Sequence, residues 1–263
     1  MKQFFFAATA LSLSLAAAAQ QTEGTVTYTR TMQMRINARA DEAVMSLLPQ
    51  TRTDKFELVF GNNQSLWKHA EEEADAGEIN ANGVQIRMMT PGQNDVVFCD
   101  FAQAKKTEQR EMMERKFIVA DSIRKLTWIL GSETKTILGH VCHKATAQRP
   151  GRRTQMTMEN GKLDRKEVAD TSTITAWFTS DIPVPAGPEV QGQLPGLVLA
   201  LDINNGRIVY QAAEISPKAD LSSIKEPTKG KKLTPDEYTQ ETTKMMEELQ
   251  RNNQGANRVI RMN

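Results

Sequence analysis

Three histidines and two cysteines in 263 residues leave little of what metal centres and nucleophilic sites are built from. A nucleophile, histidine and orienting acid have few candidates to draw on, and no nucleophile-elbow motif occurs. Aromatic residues amount to 6% and hydrophobic residues to 39%, low for a tightly packed α/β enzyme of this length. A thin core under a curved sheet with one solvated face fits that balance. Net charge is missing as well. Once Lys2 in the leader is set aside, the remaining 33 − 1 = 32 basic residues face 32 acidic ones, so nothing favours a nucleic-acid partner. No apolar run after the first residues reaches the ~20 needed to span a bilayer as a helix.

What is present begins with a leader. Met1 to Gln20 carries one charge at Lys2, then an apolar stretch from Phe4 to Ala19 ending in small residues, the layout of a secretory signal peptide. Cleavage is expected near Ala19/Gln20, giving an exported chain in the periplasm, at the cell surface or secreted. No cysteine stands directly after that site to become a lipid-bearing N-terminus, since residue 20 is Gln20. Residues 20–224 read as one antiparallel β domain, and 225–263 as a polar linker, a short helix at about 235–250 and a frayed tail.

Within the domain, Thr25 to Tyr28 opens a strand rich in β-branched and aromatic residues. Asp41 to Leu48, stopped by Pro49, reads as a short connecting helix. Lys55 to Phe60 and Ser65 to His69 flank a Gly61-Asn62-Asn63 turn and form a hairpin. The acidic run Glu71 to Glu78 matches no calcium loop and reads as solvated. A meander of short strands follows: Gln85 to Met89, Val96 to Phe101, Thr107 to Met112, Arg115 to Val119, Leu126 to Leu130, Thr134 to Ile137 and His140 to Ala147. Gln148 to Asp170 reads as a long protruding hairpin and Ile174 to Thr179 as a strand. Pro183, Pro185 and Pro188 break regular structure. Leu197 to Ile203 and Arg207 to Ile215 make the last hairpin about Asn204-Asn205-Gly206. Lys229 to Lys232 reads as linker, and Thr234, Pro235 and Glu237 as a capping box opening a helix. Its narrow apolar stripe is Tyr238, Met245, Met246 and Leu249.

One set of motifs is more specific: Gly139-His140-Val141-Cys142, Trp177-Phe178-Thr179, Ile182-Pro183, Gly187-Pro188 and Leu194-Pro195-Gly196-Leu197-Val198-Leu199. In this order they resemble the GLPGLI family of exported bacterial proteins, with the best match over 126–210. Gln193 stands where the family has its first glycine, with Gly192 just before it. The resemblance implies an exported protein of unknown function. It also implies a sheet similar to the curved sheets of periplasmic lipoprotein carriers and a neighbourhood of outer-membrane β-barrel proteins. The physical reading of the motif is structural. Pro195 fixes a bend, Gly196 lets two backbones approach, Leu194 and Leu197 turn into the core, and Trp177 packs beneath the corner.

Candidate chemistry is sparse. His140, Cys142 and His143 are the one cluster of metal-ligating types, and strand alternation puts only His140 and Cys142 on one face, so a site would need His69 or a methionine such as Met88 or Met89. Cys99 and Cys142 either pair, closing a loop of about 44 residues worth about 4 kcal/mol in the chain-entropy account, or stay buried free thiols. No catalytic residue, cofactor or resident metal is assigned. The first reading is a non-enzymatic accessory protein. It would bind a hydrophobic ligand or an outer-membrane β-barrel protein on an apolar concave face left partly open. A copper- or zinc-handling protein is the second, and an envelope hydrolase with converging acids the third.

Overall fold

The computed structural model describes residues 21–33, 50–70, 78–81, 84–87, 92, 94–159 and 162–256. The leader, the Asp41 to Leu48 segment, Glu71 to Gly77 and Met88-Met89 lie outside them. The fold is mainly β with one C-terminal helix. Its strands are β1 (Gly24–Gln33), β2 (Thr51–Gly61), β3 (Gln64–His69), β4 (Glu78–Ala81), β5 (Val84–Arg87), β6 (Val96–Asp100) and β7 (Lys105–Met112). They continue as β8 (Arg115–Ser122), β9 (Trp128–Ile137), β10 (His140–Glu159), β11 (Lys162–Thr179), β12 (Leu197–Ile203), β13 (Ile208–Ser216) and β14 (Lys231–Leu233), and α1 is Pro235–Ala256.

Twelve strands form one open sheet in the order β14-β8-β7-β6-β3-β2-β1-β13-β12-β11-β10-β9, and β4 pairs with β5 alone. The chain starts in the middle of the sheet. It builds outward from β1 to β8, crosses to the far end, and returns from β9 to β13, which closes against β1 from Thr25↔Ser216 to Met32↔Ile208. Alternation explains which side is wet. Val26, Tyr28 and Arg30 on β1, with Phe56, Leu58 and Phe60 on β2, are buried, while the threonines between them on β1 are not. Each large apolar side chain so buried is worth about 1.5–3 kcal/mol.

The sheet must be strongly curled. Residues 123–127 alone connect the end of β8 to the start of β9, and so short a link spans at most about 22 Å between the flanking Cα atoms. Two strands near opposite ends of the sheet order are therefore held within a few strand spacings of each other.

Turns follow the residues that permit them. Asn62 and Asn63 (φ 52 and 59) and Asn204 and Asn205 (φ 58 and 51) take left-handed conformations at the two hairpins expected from sequence. Met113 and Glu114 do the same between β7 and β8 (φ 49 and 62) with no such signal. The long hairpin of 148–170 is present: β10 and β11 stay paired out to Glu159↔Lys162, beyond where β9 and β12 accompany them.

Three expectations are corrected. Leu126 to Leu130 and Thr134 to Ile137 are not two strands; β9 runs through Gly131, and a bulge takes the register from Thr134↔His143 to Leu130↔Ala145. Lys229 to Lys232 is not simply linker, because β14 pairs in parallel with β8 from Lys231↔Phe117 to Leu233↔Val119. Gly230 permits this: its φ is +145, and a Cβ there would sit 2.7 Å from the Lys116 carbonyl oxygen. The helix runs to Ala256 rather than stopping near 250. Its capping box forms, with Glu237 Oε2 accepting from the Thr234 amide at 2.8 Å and Thr234 Oγ1 accepting from the Glu237 amide at 3.3 Å. Tyr238 meets Phe117 edge-on at 5.6 Å and Met245 is buried, but Met246 and Leu249 remain 49% and 42% exposed.

Candidate functional site

The motif corner is where sequence and structure agree most closely. A Cβ on Gly196 would lie 2.0 Å from the Thr179 carbonyl oxygen, so no side chain fits there. Leu194 and Leu197 are buried on either side of the bend and Pro195 is exposed. The positive φ falls on Gly192 (φ 77) rather than on Gln193. Gln193 uses its side chain instead: Oε1 accepts from the Leu126 amide at 3.0 Å and from Trp128 Nε1 at 3.2 Å, tying the crossover down at the start of β9. Gly139 (φ 84) follows Leu138 (φ 49) in the β9–β10 turn, with open space where its Cβ would be. Trp177 is half-buried at the edge of the core, and its ring carries the Lys135 ammonium at 4.4 Å. The backbone of Thr179 occupies the close contact beneath the corner.

The connection between β11 and β12 also fills the inner face. Ile182, Val184, Ala186, Val190 and Leu194 join the same buried cluster as Phe56, Leu58, Trp67 and Leu201. Polar tethers hold the connection: Ser65 Oγ donates to Gln191 Oε1, Tyr210 Oη to Glu189 Oε1 at 2.9 Å, and Tyr28 Oη to the Val198 carbonyl at 2.7 Å. Under them Trp67 stacks on Phe56 at 5.0 Å and meets Tyr28 at 5.3 Å. The chain's own plug occupies the concave face expected to lie partly open.

The metal-type residues are not assembled. His140 sits 3.2 Å from Asp181 Oδ2, His143 is exposed beside Phe178, and His69 stands on β3 against Phe56. Among the described residues no group of three or more histidine, cysteine or acidic side chains could hold an ion. Burial lowers the His69 pKa, with Asp54 opposing it. The disulfide is corrected too. Cys99 on β6 and Cys142 on β10 are free and buried, with β3, β2, β1, β13, β12 and β11 between their strands. Burial pushes the Cys99 thiol up to about 12 and the Cys142 thiol to about 11, which leaves both poor nucleophiles at neutral pH.

Two ionic clusters were not singled out from the sequence: one needs the β1–β2 register to bring Arg30 to Asp54, and the other lies on one face of the single strand β7. Asp54 is buried between Arg30 and Arg52, 2.9 Å from each, and the Arg30 guanidinium lies 4.6 Å over the Phe56 ring. On β7, Glu108 is clamped by Lys106 at 2.6 Å and Arg110 at 2.5 Å. Burial pushes the Glu108 carboxyl up, but the two cations outweigh it and hold it below the ordinary range. Arg110 in turn lies 5.1 Å over Tyr238. A cleft of about 140 Å³ opens here between β7, β8 and α1, lined by Lys106, Glu108, Arg110, Asp121 and Tyr238. The Glu108 carboxylate is locked between two cations of its own strand, one of which reaches Tyr238 of the helix, and it is not a free acid for hydrolysis.

The exposed apolar surface lies elsewhere. Ile129 and Leu130 on β9 are 69% and 64% exposed, and Val141 and Leu138 at the adjoining turn are 51% and 47% exposed. Ile129 and Leu130 lie at the start of the strand that ends the sheet, on opposite faces of it, and Leu138 and Val141 lie at its far end. Trp128-Ile129-Leu130 was legible as a strand, but nothing local said that it would be an edge.

Comparison with known proteins places this region in context. The model of a family described as "Protein of unknown function (Porph_ging)" matches residues 128–200, from β9 into β12. No curated protein matches the chain. Two solved structures of PNGF-II, in P21 and C2 space groups, are similar over 83% of this chain with TM-scores of 0.50 and 0.49 and 18% and 19% identity. The chain spans 32% of the PNGF-II chain, and at that identity the likeness is one of fold alone. LprF from Mycobacterium bovis aligns over 81% of this chain and 92% of its own at a TM-score of 0.27 and 9% identity. By sequence, then, the chain resembles a family of unknown function through the stretch that carries its open edge and its motif corner.

Proposed function

We propose that the chain is an exported, non-enzymatic accessory protein of the cell envelope, and that it binds another envelope protein through the surface around β9. One observation carries the reading: the inner face is filled by the chain's own 182–194 segment, while exposed Ile129, Leu130, Leu138 and Val141 gather at one end of the sheet. Apolar side chains exposed along an edge strand, with the inner face already filled, favour a protein contact over a lipid cavity. The leader supports export, with cleavage near Ala19/Gln20 to the periplasm or cell surface. An outer-membrane β-barrel is the partner class that the family resemblance supports.

A photocrosslinker placed at Val141 in the native host tests this. It is expected to give one discrete adduct with an envelope protein, lost when Ile129→Lys and Leu138→Lys are combined. Adducts that ignore those changes, or that form equally from exposed Glu214 on β13, would sink the reading.

A further inference from the structure

The β9 edge has the features of a site for one added strand. In the two-residue turn at Leu138-Gly139, Ile137 and His140 flank the turn and exchange both backbone hydrogen bonds. Lys135 then faces inward to Cys142 in the same way, so the amides and carbonyls of Thr134 and Thr136 point away from the sheet. Among the described residues no strand pairs with them, since β9 ends the sheet order.

The space beside them is bounded. The 123–127 link keeps the start of β9 within about 22 Å of the end of β8. β14 already takes the position next to β8. At ~4.8 Å per strand, about two further strand positions at most remain between β14 and β9 at that end. A whole second sheet would not enter such a gap, but an extended peptide would.

Charge defines the occupant further. Glu133 and Lys135 flank Thr134, and the Glu133 side chain is 63% exposed even while it holds Lys144 at 2.8 Å. An antiparallel strand centred on Thr134 would meet them with a cation opposite Glu133 and an anion opposite Lys135. Beyond the charges, its apolar residues would face Leu130 and Leu138.

Resting on the accessory reading above, we infer that β9 captures an extended segment of another protein. That segment runs antiparallel to β9, carries a basic and an acidic residue two positions apart with apolar residues outside them, and enters the gap between β9 and β14.

β9's own sequence meets this description, which supplies a probe: the synthetic peptide Trp-Ile-Leu-Gly-Ser-Glu-Thr-Lys-Thr-Ile-Leu, identical to residues 128–138. Added to the full mature chain, it is expected to bind saturably and to slow amide exchange at Thr134 and Thr136. Exchanging its Glu and Lys should weaken binding about fivefold, the scale of two exposed charge pairs. The chain variant combining Glu133→Lys and Lys135→Glu should restore binding of the exchanged peptide. Thr134→Pro, which removes only an outward amide, should abolish binding. No saturable binding, or binding indifferent to both the charge exchange and Thr134→Pro, overturns strand addition. If the Val141 adduct persists in that case, only the mode of binding falls; if the adduct is also absent, the accessory reading falls with it.

Discussion

At the β8 end of the sheet, β14 and the first turns of α1 lie beside Phe117, Ile118 and Val119, all 5% exposed or less, whereas at the β9 end Ile129 and Leu130 are exposed with no described strand beyond them. Sequence order makes the contrast sharper. β9 follows β8 after a short link and would be its natural hairpin partner, yet β14 has taken that place. An edge strand is a template for another chain, and proteins usually cover, charge or bulge it. Here one edge is covered by the chain's own C-terminus. The other carries Lys135 and a bulge but keeps its apolar side chains exposed. On the proposed reading, the difference separates a part of the molecule built for stability from a part left free for contact.

The sharpest way to break the contrast is to uncover the closed edge. Gly230→Ala puts a methyl 2.7 Å from the Lys116 carbonyl at a φ of +145, so β14 must leave β8 or shift. A loss of about 3 kcal/mol in denaturant unfolding is expected, with faster amide exchange at Phe117 to Val119. A variant as stable as the parent would mean that β14 covers nothing of consequence. Tyr238→Ala should cost less, about 1–2 kcal/mol. It removes the edge-on contact with Phe117 and the Arg110 contact at 5.1 Å but leaves β14 in place.

Acid should loosen the same edge and spare the other. Glu226 is held below the ordinary carboxylate range by hydrogen bonds from Lys105 and Thr107, and Glu108 by Arg110 and Lys106 against the opposing effect of burial. Both carboxyls have folded-state values below their unfolded ones. Their contribution is therefore complete above the unfolded value of ~4.3 and is lost as pH falls through the folded values. Exchange at Phe117 to Val119 should rise below about pH 4.3, and Glu226→Gln should remove part of that response. A pH-independent closed edge would show that these contacts do not hold it.

How much of this could be read beforehand follows the range of each interaction. β-branched and aromatic residues at Thr25 to Tyr28, and the Lys55 to Phe60 run before its turn, announced strands. The Asn62-Asn63 and Asn204-Asn205 pairs announced hairpins, and the tight approach at Gly196 was expected from Leu-Pro-Gly-Leu. Residues 182–194 have no period, so their role as the core's plug could not be seen. β14 is three residues of parallel pairing, too short to leave a pattern. The contact of Arg110 with Tyr238 requires the helix to dock, and the edge status of β9 requires the whole strand order. The site was thus legible as residues and illegible as a boundary.

The smallest expected effect separates the two edges most cleanly. Ile129→Lys on β9 removes an apolar side chain that is 69% exposed, so it forfeits almost no burial and should change unfolding free energy by no more than about 0.5 kcal/mol. The same substitution should reduce peptide capture and the envelope adduct, because the side chain's value lies in what it would bury against a partner. Ile118→Lys, four residues inside the opposite end of β8 and 4% exposed, should do the reverse: a loss of several kcal/mol, with the β9 contact unchanged in whatever fraction remains folded. If Ile129→Lys instead destabilised the chain as Ile118→Lys does, β9 would be part of the closed core under another name, and the division between a covered edge and a contact edge would be wrong.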